Sequence, residues 1–296
     1  EQEGEKTWIE ADATLDGTAL GSVGIRLKGN STLMSLRKNR SGGPSGFPAP
    51  PGGLATPPAG AAVGSARPEG GPASMANVSF AEPSSLPLVL SFNHFIKGRG
   101  YQGLGELAVR PVVGKGANLN EALALKLVAE SGQPSQRFTW VRFRLGGGEV
   151  TTRLLVENPD QGYAERLGFG EGVLFKSRSS NRFAYLGDDP TSYAEDFSQL
   201  SAKGSRDATP VIRLLKFLEN ASDATFDSEL SSVLDVERFA EYVATHELLD
   251  NFDDISGPGR NFLLWYDLAD ERCTVITWDL NLALGGMGAM GGPPGG

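Results

Sequence analysis

Nine Gly and eight Pro fall within the 32 residues from 41 to 72, SGGPSGFPAPPGGLATPPAGAAVGSARPEGGP. Such a stretch has almost nothing apolar to bury, so it reads as a mobile loop inserted between ordered segments. A chain carrying it must close its fold from pieces far apart in sequence. The first two candidates flank the insertion: Val23, Ile25 and Leu27 alternate with Gly24, Arg26 and Lys28, and Leu88, Leu90 and Phe92 alternate with Val89, Ser91 and Asn93. Both have the period of a half-buried strand, and the loop between them is long enough to let them pair. A second biased run, GGMGAMGGPPGG at 285–296, reads as a disordered tail or the start of a linker.

The remaining chain alternates helix and strand signals. Leu119, Leu123 and Leu127 recur at helical spacing after Asn118, an expected cap, which predicts a helix over 118–130. Phe138–Leu145 and Val150–Glu157 flank Gly146, Gly147 and Gly148 and predict a hairpin. Thr209-Pro210, read as a cap and a first-turn proline, opens a helix to about Asn220. Asp235 caps a longer helix ending near Asp250, with Phe239, Val243 and His246 or Glu247 on one face. Asn261–Asp267 and Cys273–Asp279 predict a last strand pair. The class is α+β, with residues 1–284 as one domain.

Composition removes several kinds of chemistry. Among 296 residues, 36 Asp and Glu exceed 27 Lys and Arg, and the net charge of −9 argues against a whole-chain nucleic-acid binder. One cysteine, Cys273, rules out a disulfide framework and a four-Cys zinc site, and two histidines, His94 and His246, rule out a multi-histidine metal centre. His94 reads as structural and His246 as facing either the helix interior or the acidic loop that follows it. No apolar run of 18 residues suggests a membrane span, and no charged-then-apolar leader opens the sequence, which starts at Glu1 rather than Met. What survives is carboxylate chemistry.

The densest polar cluster is Asp250-Asn251-Phe252-Asp253-Asp254, between the 235–250 helix and the strand opening at Asn261; Asp279 follows at the end of the last strand. Magnesium is commonly held by one or two carboxylates together with phosphate oxygens, and phosphoryl transfer needs a carboxylate to take the hydroxyl proton and a cation on the phosphates. The same acidic run can equally be a solvated loop whose aspartates cap local turns. A second cluster is the strand Arg153-Leu154-Leu155-Val156-Glu157, with Arg153 and Glu157 on one side, followed by Leu174-Phe175-Lys176-Ser177. A strand lysine oriented by a glutamate is how kinases hold nucleotide phosphates; a solubilising edge lysine is the plainer reading. Gly98-Arg99-Gly100-Tyr101-Gln102-Gly103 matches G-x-G-x-x-G without a following helix, so it does not read as a dinucleotide site, though Leu107 and Val109 suggest a strand after it. His-Arg-Asp and Asp-Phe-Gly are absent, which excludes an ordinary protein kinase. Trp140, Trp265 and Trp278 read as core.

The order of segments resembles the CotH family, the spore-coat-H-like atypical protein kinases. The matching pieces are Arg26-Leu27-Lys28-Gly29-Asn30-Ser31, Leu86–Phe92, the Arg153–Glu157 strand, Leu174-Phe175-Lys176, Leu248-Leu249-Asp250-Asn251-Phe252-Asp253, Asn261-Phe262 and Trp278-Asp279-Leu280-Asn281. The resemblance implies an α+β, kinase-like fold of antiparallel strands and packed helices. It also implies use of ATP with Mg²⁺ or Mn²⁺, and transfer to Ser or Thr of a secreted or coat protein at the cell surface. By position, Lys176 would contact the nucleotide phosphates, Glu157 would orient it with Arg153 on the same strand, Asp253 would be the catalytic base, and Asn261 with Asp279 would hold metal. Asp250 and Asp254 are the alternative bases. The chain departs from the family where Asn281 replaces the usual acidic residue two places after the Trp-Asp pair, and in carrying the 41–72 insertion. A catalytically weak kinase-like scaffold or coat-interaction protein is the competing reading, and a carbohydrate-binding module a third.

Overall fold

The computed structural model describes residues 7–29, 78, 80–111, 118–205 and 207–284. The expected loop at 41–72, the run at 285–296, and Asn30 and Ser31 lie outside the described residues.

Strand patterning sorts the chain into two antiparallel sheets. The first contains β1 (Ile9–Leu15), β2 (Thr18–Leu27), β3 (Leu88–Ser91), β4 (Glu106–Val109), β5 (Phe138–Phe143) and β6 (Thr151–Glu157), in the spatial order β1-β2-β3-β4-β6-β5. The two strands flanking the insertion pair as expected, with Gly24 opposite Ser91 and Leu27 opposite Leu88. β1 makes a hairpin with β2 that the sequence reading did not assign. Strand β6 is buried on both faces: Leu155 joins Val23, Leu88, Phe92, Leu107 and Val109 on one side, and Leu154 and Val156 meet α1 (Leu119–Glu130) on the other.

The second sheet is built from β7 (Gly172–Ser177), β8 (Phe197–Gln199), β9 (Phe262–Asp267) and β10 (Cys273–Thr277), ordered β10-β9-β7-β8. Gly172 is required where β7 crosses β9, because a Cβ there would run into the Trp265 ring and the Tyr266 carbonyl. Three helices, α3 (Thr209–Asn220), α4 (Asp223–Val233) and α5 (Val236–Leu248), complete this half. Val211, Leu214 and Leu215 of α3 and Tyr242 of α5 share a core with Phe175, Phe262, Leu264 and Val275 of the sheet. Between the sheets lies the short α2 (Gln161–Arg166), whose Tyr163 and Ala164 pack with Leu174, Leu263, Trp265 and Trp278.

Several expectations change in detail. On α1 the predicted stripe Leu119, Leu123 and Leu127 is 62, 52 and 46% exposed, while Glu121, Ala122, Ala124, Leu125 and Val128 are buried. The helix is apolar on more than one side, so periodicity alone does not choose which side docks. Asn118 stands at the helix start in left-handed backbone (φ 54°) and makes no side-chain cap. Helix α3 begins at Thr209, whose N–H donates to the Asp207 carboxylate at 2.8 Å, so Thr209 is not the cap. Asp235 caps α5 as expected, accepting from the Arg238 N–H. His94 lies beyond the end of β3 and stacks, exposed, on Trp8 at 4.6 Å. Trp140 is 42% exposed rather than core, whereas Trp265 and Trp278 are buried. No helix among the described residues is long and apolar enough to cross a membrane.

Candidate active site

Five polar side chains converge where the two sheets meet. Lys28 follows β2, Arg110 follows β4, Glu121 projects from α1, Lys176 sits near the end of β7, and Asp279 follows β10. The first sheet delivers its members from strand ends, and α1 is held against the segment after β10 by Leu125 and Val128 packing with Leu249, Leu280 and Ala283. Arg110, buried, is shared between two carboxylates: one amino nitrogen lies 2.5 Å from Asp279 Oδ1 and against Glu121 Oε1. Trp278, also buried, offers its ring to both ammonium groups, Lys176 Nζ at 4.6 Å and Lys28 Nζ at 5.1 Å from the centroid, a cation–π geometry. Asp279 has left-handed backbone (φ 56°), which turns its carboxylate sharply out of the strand direction.

Charges here shift one another strongly. Burial alone would raise the Asp279 carboxyl, but Arg110, Lys28 and Lys176 together hold it well below the usual carboxylate range. Burial pushes Lys28 down to about 7 despite the attraction of Asp279, and depresses Lys176 as well. Burial raises Glu121, with Arg110 opposing. Arg110, bracketed by the two carboxylates, stays charged.

The acidic loop after α5 is fixed from both ends. His246, buried on α5, lies 2.9 Å (Nδ1) from Asn251 Nδ2 and 3.3 Å (Nε2) from Thr277 Oγ1. The Tyr242 hydroxyl accepts from the Ile255 N–H at 3.1 Å. His246 is thus a structural group facing both the helix interior and the loop. Asp254 accepts from the Ser256 and Gly257 N–H groups, an Asx turn, so for this residue the turn-capping reading holds. Asp250 is exposed in left-handed backbone. Asp253 is different: its carboxylate accepts from the Gly259 N–H and from Asn261 Nδ2 at 2.7 Å. Burial raises its pKa, with the charges of Asp279 and Asp254 adding and the two hydrogen bonds opposing. A Cβ on Gly259 would sit 2.5 to 2.6 Å from the carboxylate oxygens, so the loop closes this tightly only around glycine.

Asp253, Asn261, Lys176 and Asp279 therefore lie in one electrostatically linked region. Glu157 and Arg153 do not join them. Glu157 pairs with Arg166 of α2 and accepts from the Arg137 N–H at 3.0 Å, so the expected Lys176–Glu157 ion pair is replaced by Glu157–Arg166. Arg153, 1% exposed, donates to the carbonyls of Ser84, Leu86 (2.7 Å) and Arg110 (2.5 Å). Its guanidinium ties β6 to the segments before β3 and after β4, a structural task. The sequence reading missed Lys28 as a site group, Arg110 and Glu121. A signal existed for Glu121, a lone carboxylate in register with Leu125 and Val128 on one helix face.

For a divalent metal the donors present are few. Among the described residues no three His, Cys, Asp or Glu side chains cluster to hold an ion. Asp279 Oδ2, Asn261 Oδ1 and both Glu121 carboxylate oxygens make no hydrogen bond among those residues, and Glu121 Oε1 rests against Arg110. One or two protein oxygens completed by phosphates is a common Mg²⁺ arrangement, so the donor set fits a metal that arrives with a phosphate ligand.

A family model described as CotH kinase protein matches residues 84–293. The chain belongs to the CotH family. No curated protein matches the chain. Arg110, Glu121, Lys176, Asp253, Asn261 and Asp279 all lie within the matched residues; Lys28 lies before them.

Proposed function

We propose that the chain is an atypical protein kinase that transfers the γ-phosphoryl group of ATP to Ser or Thr of a spore-coat or other surface protein, with Mg²⁺ or Mn²⁺. The observation that carries this reading is Asp253, a carboxylate with a raised pKa, fixed by two donors and electrostatically linked to the cation-flanked Asp279. A kinase-like fold is supported by Arg110 and Glu121, a basic residue at a strand end paired with a glutamate on the next helix, as kinases pair a strand lysine with a helix glutamate.

In this reading Lys176 and Arg110 bind the phosphates and hold their charge in a site partly screened from water. The acceptor hydroxyl approaches Asp253. Its oxygen attacks the γ-phosphorus, its proton passes to an Asp253 carboxylate oxygen, and the bond from γ-phosphorus to the bridging oxygen breaks to release ADP. Asn261 donates to Asp253 and holds it in the attacking geometry. Asp279 and Asn261 would hold the metal, which supplies charge neutralisation on the phosphates when bound.

One observation favours a catalytically weak scaffold instead: Asn281, where the family usually has a carboxylate, is exposed and neutral. A thermal-shift measurement tests the kinase reading, because a ligand bound only by the native state raises its melting temperature. ATP with Mg²⁺ or Mn²⁺ should raise it in a concentration-dependent way; no shift with either metal overturns the nucleotide reading and leaves the scaffold.

A further inference from the structure

The cations at the head of the site exceed the carboxylates. Lys28, Lys176 and Arg110 face Asp279 and Glu121, and Arg110 engages both acids. Neither the Lys28 nor the Lys176 ammonium has an ion pair or a hydrogen bond among the described residues; each lies over the Trp278 ring. Two partly buried ammonium groups without acceptors among the described residues, beside a charged guanidinium, make a site that gains by taking up an anion. A bare divalent cation meets the opposite situation: it must approach a carboxylate already paired with Arg110 and faced by two lysines.

We propose that Lys28, Lys176 and Arg110 form a polyphosphate-binding site that fills without a divalent cation, and that metal enters only with or after the phosphates. The ligand chemistry is a linear chain of at least two phosphoryl groups, long enough to meet ammonium groups from β2 and β7 together. Lys28 becomes a binding residue supplied from outside the family-matched segment. The proposal rests on the nucleotide reading in placing phosphates at Asp279, but its chemistry requires neither a nucleoside nor transfer.

The test is isothermal titration calorimetry on the full chain stripped with EDTA. Inorganic tripolyphosphate and ATP should each bind in EDTA, with affinity falling as salt rises, and Mg²⁺ alone should give no binding heat. Lys28→Met should weaken tripolyphosphate roughly tenfold or more, the scale of losing one charge-assisted contact, with Lys28→Arg recovering most of it. Lys126→Met, on the exposed face of α1, should change nothing. Tripolyphosphate binding only when Mg²⁺ is present, Mg²⁺ binding by itself, or an unchanged affinity in Lys28→Met would each overturn the proposal. If Lys28→Met does not fold, the three wild-type titrations decide alone. Phosphate transfer from ATP with Mg²⁺, together with no tripolyphosphate binding in EDTA, would sink this proposal and keep the kinase reading; tripolyphosphate binding without any transfer would do the reverse.

Discussion

Asn251 Nδ2 donates to His246 Nδ1 at 2.9 Å, joining the last turn of α5 to the loop that carries Asp253. The amide donor leaves Nδ1 as an acceptor and puts the ring proton on Nε2, toward Thr277 Oγ1. Protonating the ring would set a second N–H against the Asn251 amide, and burial pushes the His246 pKa down to about 4.

Acid should therefore loosen the site through His246. The unfolded imidazole takes a proton near its ordinary pKa of about 6.5, whereas the folded one resists until about 4. The stabilisation is fully present above the unfolded value and is lost as pH falls from there toward 4. Its size is on the order of 3 kcal/mol. Urea unfolding from pH 7.5 to 4.5 should show this loss in wild type and a flatter profile in His246→Gln; parallel profiles would contradict it.

Arg153 should behave as a structural residue. Replacing it with Met strips a donor from three carbonyls, those of Ser84, Leu86 and Arg110. Unsatisfied buried acceptors cost about 1–3 kcal/mol each, so a total loss of roughly 3 kcal/mol or more is expected in chemical denaturation. ATP affinity of the folded protein should stay close to wild type. Weakened ATP binding with unchanged stability would return Arg153 to the binding site.

Gly259→Ala should separate transfer from binding. The added Cβ would crowd the Asp253 carboxylate oxygens and lie 2.9 Å from Asn261 Nδ2. The loop must shift, at a cost of about 1–3 kcal/mol typical of overpacking. Calorimetry should find ATP bound nearly as in wild type while labelled-phosphate transfer is lost; normal transfer would show that the loop geometry does not govern Asp253.

The sequence was most legible where local signals and tertiary packing agree. Asp235 caps α5, and the glycines at 146–148 turn the β5–β6 hairpin as read. Helix α4 went unread because its stripe, Phe226, Leu230 and Val233, is short and only Val233 of it is fully buried. The Glu157 pairing failed for a related reason: its partner Arg166 lies on α2, a six-residue helix with no periodic signal of its own. Lys176, Asp253, Asn261 and Asp279 were named by resemblance and do lie in one region. Arg110 and Glu121 were missed because their meaning comes from sheet order and from which face of α1 docks, neither of which a linear pattern states.

Mutating the two aspartates should have different consequences. Asp279→Ala removes the oxygen donor and the partner of Arg110, so ATP binding should lose its enhancement by Mg²⁺ or Mn²⁺ while metal-free polyphosphate binding persists. Titrations in EDTA and in metal read both; an undiminished metal effect would exclude Asp279 as a ligand.

The proposed kinase activity requires Asp253 as the base of the phosphoryl transfer. The direct measurement is transfer of labelled γ-phosphate from ATP to the protein itself or to a generic Ser/Thr acceptor, by wild type and by Asp253→Asn, with ATP binding measured on the same samples. Wild type should transfer phosphate with Mg²⁺ or Mn²⁺, and Asp253→Asn should bind ATP comparably but transfer at least ~100-fold more slowly, the lower end of a general-base contribution. Equal transfer by the two proteins, or none by wild type under either metal, would contradict the account.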